Sequence, residues 1–176
     1  MPMTDVYLSL GSNVEPELNI VKALEELNKI LEIKKVSNAY RTKPVDGPPQ
    51  PDYCNLVVLA ETDIDPGELK FSYLREIERK LGRSRSADRY GPRTIDIDII
   101  IYGDSCIDSD EMRIPDPDIY TRSFLVLCLY ELSPELKVPC ASLDIGKLVT
   151  RIDRKGLVKL PALSHEIRKF VQSHKC

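Results

Sequence analysis

The chain has 176 residues, 42% of them hydrophobic, which is enough to bury the core of one domain without disulfides or a structural metal. A net charge of −3 and a pI near 5.5 disfavour bulk nucleic-acid binding, and no apolar run approaches the roughly 20 residues of a membrane span. Five cysteines stand singly, with no CxxC pair and no zinc spacing to His165 or His174, so they are expected to be reduced, mostly buried thiols; without a basic-then-apolar leader, the expected location is the cytoplasm.

Residues 6–10 form a short β-type run that closes on Gly11-Ser12-Asn13, and Ile20, Leu24, Leu27 and Leu31 then recur at helical spacing. Residues 36–41 read as extended. Residues 43–51 are too rich in proline and glycine to be anything but loop. Residues 53–61 are apolar on both faces, as in a central strand. A second helix opens at Asp65-Pro66, with Asp65 as N-cap and proline where its missing amide hydrogen costs nothing. Leu69, Tyr73, Leu74, Ile77 and Leu81 supply its buried stripe, and Gly82 ends it.

From residue 95 to 102 apolar and acidic residues alternate, so Ile95, Ile97, Ile99 and Ile101 should face a core while Asp96 and Asp98 point the other way. Two acids on an otherwise apolar strand need cations, hydrogen bonds or water. Just upstream, residues 82–93 carry Arg83, Arg85, Arg89 and Arg93, whose planar forks match phosphate oxygens. The two features together suggest a nucleotide–magnesium site, and the absence of GxxxxGK[ST] excludes a P-loop enzyme. Residues 103–132 look irregular, and residues 162–174 are amphipathic and able to cover the second side of the sheet. The order β-α-β-β-α-β predicts an α+β fold with a ferredoxin-like core, a mainly antiparallel sheet and helices on both sides. Residues 147–176 carry a net +6, read as a solvated helix face.

The run Gly91-Pro92-Arg93-Thr94-Ile95-Asp96-Ile97-Asp98, with Tyr7 to Asn13, Tyr40-Arg41-Thr42, Pro51 to Asn55, Leu81-Gly82-Arg83 and Arg122-Ser123-Phe124, resembles the 6-hydroxymethyl-7,8-dihydropterin pyrophosphokinase family. The resemblance covers about residues 5–140 and fades beyond them, so residues 1–176 are expected to form one domain whose part from 141 on diverges. It implies transfer of pyrophosphate from ATP to the pterin hydroxymethyl group, with AMP released, in folate biosynthesis. It also implies two Mg²⁺ ions on Asp96 and Asp98, which position and neutralise the reacting groups, with Asp98 the nearest acceptor for the hydroxyl proton.

By the same resemblance, Arg83 and Arg93 engage the triphosphate in catalysis, with Arg85 and Arg89 as helpers. Glu78 and Arg122 also fall on nucleotide-site positions, and Tyr90 falls on a further family site position. Tyr53 and Phe124 sandwich the pterin, Asn55 supplies an amide, and Thr42 and Val45 lie on a pterin-contacting loop. Asp116 departs from the pattern, standing where the family typically carries histidine. Arg75, on the helix before the arginine loop, can reach phosphate or face solvent. The expected partners are the two small substrates, with no nucleic acid and no membrane, and the expected state is monomer or homodimer. Two alternatives are a non-catalytic pterin or nucleotide sensor and a ferredoxin-like RNA-binding module; the second lacks an RNP1-like run.

Overall fold

In the computed structural model, residues 2–45, 48–83, 91–141 and 143–174 are described. Strand β1 (Thr4–Ser12) sits between β4 (Tyr53–Thr62) and β5 (Asp96–Tyr102), antiparallel to both. Beyond β4 lie β2 (Glu32–Val36) and β3 (Tyr40–Thr42), and β10 (Val158–Lys159) extends the sheet from β3, giving the order β10-β3-β4-β1-β5 with β2 also on β4. Two small hairpins stand apart: β6 (Ile107–Asp108) with β7 (Arg113–Ile114), and β8 (Lys137–Val138) with β9 (Leu143–Asp144). The stretch expected to be extended over residues 36–41 is thus two strands. Ser37 breaks it, its backbone N–H donating to the Val57 carbonyl while its hydroxyl accepts from the Val57 N–H.

One face of the sheet is covered by α1 (Pro16–Leu27), by α2 (residues 66–80), and by α5 (Pro161–Ser173). Helix α2 is a run of three parts, Pro66–Glu68, a π-wound Leu69–Leu74 and Arg75–Lys80. Asp65 caps it as expected, accepting from the N–H groups of Gly67 at 2.9 Å and Glu68 at 3.2 Å, and Gly82 leaves it with a left-handed φ of 81°. Leu31 reaches the same core from the turn after α1 rather than from the helix. The opposite face is covered by α3 (Ser123–Leu132) and α4 (Ile145–Leu148). Among the described residues, no helix is long and apolar enough to cross a membrane.

Four expectations are corrected. Helix α5 lies with α1 and α2, through Leu163, Ile167 and Val171, so α3 and α4 cover the second side. Residues 103–132, expected to be irregular, contain α3, whose Phe124, Leu125, Val126, Cys128, Leu129 and Leu132 are buried nearly all round and leave no amphipathic period to read. A bulge opposite Tyr7 and Leu8 inserts Ile100 between the partners Ile99 and Ile101. Ile95, Ile97, Ile99 and Tyr102 therefore join the first core layer, while Ile101 turns with Ile100 into the second. Finally, Cys106 and Cys140 are exposed and disulfide-bonded across 34 residues, with Cα atoms 6.2 Å apart, which ties the residue before β6 to the turn between β8 and β9; Cys54 and Cys128 are free and buried.

Candidate active site

Three strands bring polar residues to one end of the sheet face that α3 covers. The register places Gly11 between Asn55 and Asp96, and Ser9 between Val57 and Asp98. Side chains alternate along each strand, so Tyr53, Asn55, Ser9, Asp96 and Asp98 share this face. Gly11 is required by close approach: a Cβ there would lie 2.8 Å from Asn55 Oδ1. Above this floor is a cavity of about 310 Å³.

The cavity gathers most of the residues singled out from the sequence. Thr42 lines it from the end of β3 and Val45 from the loop after it, Tyr53 and Asn55 from β4, Arg93, Asp96 and Asp98 from the approach to β5 and from the strand itself, and Arg122 and Phe124 from the start of α3. Asn55 Nδ2 donates to Thr42 Oγ1 at 2.7 Å, and Arg122 pairs with Asp118 at 2.7 Å. Ser9, Gly11, Lys43 and Gln50 also line it, none of them assigned a site role from the sequence, as does Asp118, an acid of the 104–118 stretch that reads in the sequence as a solvated turn residue. The small Gly-Ser-Asn ending of an apolar strand was the signal that could have pointed to the first part of this group.

Arg83 and Glu78 stand beside Asp96 rather than on the cavity wall. Arg83 donates to Asp96 Oδ1 and to Glu78 Oε1, and Arg93 donates to Asp96 Oδ2. Glu78 is 3% exposed and also accepts from the Ile97 N–H at 2.9 Å, so the acid next to Ile77 is a buried anchor of the Asp strand and not a solvated helix residue. Burial works against the charge on Arg83, but Asp96 and Glu78 outweigh it and raise its pKa above the usual value. Arg85, Arg89 and Tyr90 lie outside the described residues. Arg75 is exposed and its guanidinium lies 4.5 Å from the centre of the Phe71 ring, a cation–π contact on the surface.

Asp98 differs sharply from its neighbour on the strand. No described residue donates a hydrogen bond to its carboxylate, and its pKa is pushed up to about 7 by burial first, then by Asp96 and Asp116. Asp116 caps the 3₁₀ helix Pro117–Tyr120, accepting from the Asp118 N–H at 2.8 Å; its own pKa is raised by burial. The N–H of Asp116 donates to the carbonyl of the bulged Ile100, which fixes this acid at the cavity edge.

Among the described residues no cluster of three or more His, Cys, Asp or Glu forms a protein-only metal cage. Asp96 and Asp98 instead fit a magnesium ion whose other ligands are water and phosphate oxygens, since Mg²⁺ takes one or two carboxylates and keeps its waters. Two arginines already sit on Asp96. Guanidinium groups pair with phosphate oxygens as readily as with carboxylates, so a polyphosphate in the cavity would compete with Asp96 for both arginines.

A family sequence profile described as 7,8-dihydro-6-hydroxymethylpterin-pyrophosphokinase (HPPK) matches residues 7–134. The chain belongs to this family. It is 38% identical over 138 residues to the 2-amino-4-hydroxy-6-hydroxymethyldihydropteridine pyrophosphokinase of Aquifex aeolicus, covering 78% of this chain and 85% of the relative. The corresponding enzyme of Haemophilus influenzae is 33% identical over 162 residues, 90% of this chain and 99% of its own. Two crystal structures of HPPK-DHPS chains share the fold. One is in complex with substrates and has a TM-score of 0.69; the other, from Plasmodium falciparum, has a TM-score of 0.67. Both are 16% identical in sequence, and this chain spans 47% of each. As an HPPK, the chain is an ATP-dependent diphosphokinase whose reaction is pyrophosphoryl transfer to a hydroxymethyl-dihydropterin in folate biosynthesis.

Proposed function

We propose that the cavity holds ATP and 6-hydroxymethyl-7,8-dihydropterin together, the pterin between Tyr53 and Phe124 and the triphosphate along Arg93, Arg122 and, once it leaves Asp96, Arg83. The observation that carries this reading is the meeting of both carboxylates, both aromatic rings and Arg93 around one cavity. A flat ring between two aromatic faces gains offset stacking as well as area burial. Asn55, held by Thr42, presents its amide to the edge of the ring, and Val45 closes the side of the slot. Glu78 acts through Arg83 and the Ile97 amide rather than by touching nucleotide. Arg85 and Arg89 remain assigned to the triphosphate by family resemblance.

Two Mg²⁺ ions on Asp96 and Asp98 would supply charge neutralisation on the triphosphate and alignment of the hydroxyl with the β-phosphorus. Arg83 and Arg93 stabilise charge on the transferred pyrophosphate, and AMP leaves. Asp98 is the nearest carboxylate we assign as acceptor for the hydroxyl proton, which coordination of the hydroxyl would make easier to lose. The order β3-β4-β1-β5, with α1 and α2 on one face, supports a ferredoxin-like core, and the packing of α5 onto that core supports one domain over residues 1–176. We place the chain in the cytoplasm, as monomer or homodimer, with its two substrates as partners.

The test pairs chemistry with metal binding. Asp96→Ala and Asp98→Ala should each abolish pterin-dependent AMP formation and weaken the binding of Mn²⁺, used as a magnesium substitute and read by its electron-spin signal in the presence of a nucleotide analogue. Full AMP formation by either variant overturns the assignment.

A further inference from the structure

Asn13 closes β1, is 4% exposed and does not line the cavity, yet it bonds to both segments that serve it. On one side its backbone N–H donates to the Arg93 carbonyl at 3.1 Å, and its Oδ1 accepts from the Arg93 N–H at 2.8 Å. This two-bond ring fixes the main chain three residues before Asp96. On the other side its Nδ2 donates to Gln50 Oε1 at 2.9 Å and to the Pro51 carbonyl at 3.2 Å, in the loop that leads into Tyr53. Gln50 itself lines the cavity. The position needs an acceptor toward Arg93 and two donors toward the loop, at one side-chain length. Among the amino acids an asparagine amide supplies that set, whereas aspartate has no donor and glutamine is one methylene longer.

We propose that Asn13 is a positioning residue that couples the two substrate subsites, holding the Arg93 backbone and the Gln50–Pro51 loop on one rigid amide so that ordering of either subsite favours the other. The inference rests on the placement of triphosphate at Arg93 and pterin at Tyr53 given above. Buried side-chain amides with every donor used transmit small shifts because no bond can be released without leaving a polar group unpaired. Coupling of this kind is reciprocal: pterin tightens nucleotide by the same factor by which nucleotide tightens pterin.

The test is calorimetric titration of an ATP analogue blocked by a methylene between the α- and β-phosphorus, with Mg²⁺, in the absence and presence of saturating pterin. The parent protein should bind the analogue more tightly when pterin is present. Asn13→Ala should reduce that coupling factor about tenfold or bring it to one, the loss expected for one to two buried hydrogen bonds. Asn13→Asp keeps the acceptor for the Arg93 N–H and loses both donors, and Gln50→Ala removes the acceptor that Asn13 Nδ2 uses in the loop; each should reduce the factor about threefold or more. A thermal melt of each variant confirms that it is folded, and if Asn13→Ala is not, the other two decide. A parent without coupling, or folded variants whose coupling equals the parent's, overturns the proposal even where turnover falls. A parent that forms no AMP would instead overturn the catalytic reading, so the two failures are distinct.

Discussion

Replacing Asp98 by asparagine should stabilise the metal-free protein while removing its activity. The carboxyl is pushed up from the ordinary 3.8 to about 7 by burial, Asp96 and Asp116. At about 1.4 kcal/mol for each tenfold in proton affinity, holding it ionised in the folded chain costs about 4 kcal/mol. The sign follows from the protons bound. Between the two pKa values the folded state holds the proton and the unfolded state does not, so this group's contribution is complete below about pH 4 and is lost as pH rises through about 7. Asparagine is neutral throughout. The variant should therefore exceed the parent by about 4 kcal/mol at pH 8, by less than half of that at pH 5, and by little below pH 4. Urea unfolding with a chelator present, at pH 5 and pH 8, measures both gaps. Magnesium with the nucleotide analogue should then stabilise the parent and leave the variant nearly unmoved. A gap that is equal at the two pH values, or a variant less stable than the parent at pH 8, would refute the reasoning.

Three other changes separate the parts of the site. Gly11→Ala drives a Cβ to 2.8 Å from Asn55 Oδ1, so Asn55 must shift off Thr42; pterin affinity should fall about tenfold with nucleotide affinity kept, as read by calorimetry. Phe124→Ala removes one face of the sandwich and should weaken pterin about tenfold or more, again without weakening the analogue alone; equal losses for both ligands would contradict the placement. Glu78→Ala orphans the Ile97 N–H and leaves Arg83, whose side chain is only 15% exposed, with one carboxylate fewer. It should cost about 3 kcal/mol in urea unfolding, and Glu78→Gln should recover part of this by restoring the bond to Ile97.

Local signals made much of this molecule legible. The alternation of apolar and acidic residues placed Asp96 and Asp98 on one face, the Asp65-Pro66 start and Gly82 stop bounded α2, and the run from Gly91 to Asp98 carried the family. What stayed hidden depends on contacts far apart in sequence. The bulge that turns Ile101 away from Ile99 is set by the pairing of β5 with β1, and periodicity within β5 has no means of revealing it. Helix α3 is wrapped by protein on nearly all sides, so it has no polar stripe to mark it as helical. Glu78 follows the buried Ile77 and looks solvated, yet the approach of β5 and Arg83 buries it. Cys106 and Cys140 join the approach to β6 to the turn of the β8–β9 hairpin, and a spacing of 34 residues gives no hint of it. Asn13 belonged to a recognised motif, but its role in holding Arg93 and Gln50 is visible only when the ends of β1, β4 and β5 are brought together.

The most direct measurement is the fate of the β-phosphorus. Purified protein with Mg²⁺, ATP and 6-hydroxymethyl-7,8-dihydropterin, followed by phosphorus NMR, should show AMP and a pterin diphosphate appearing in equal amounts, with no AMP when the pterin is omitted. Formation of ADP and a pterin monophosphate would mean attack at the γ-phosphorus, and would contradict the arrangement of Arg83, Arg93, Asp96 and Asp98 around a pyrophosphoryl transfer.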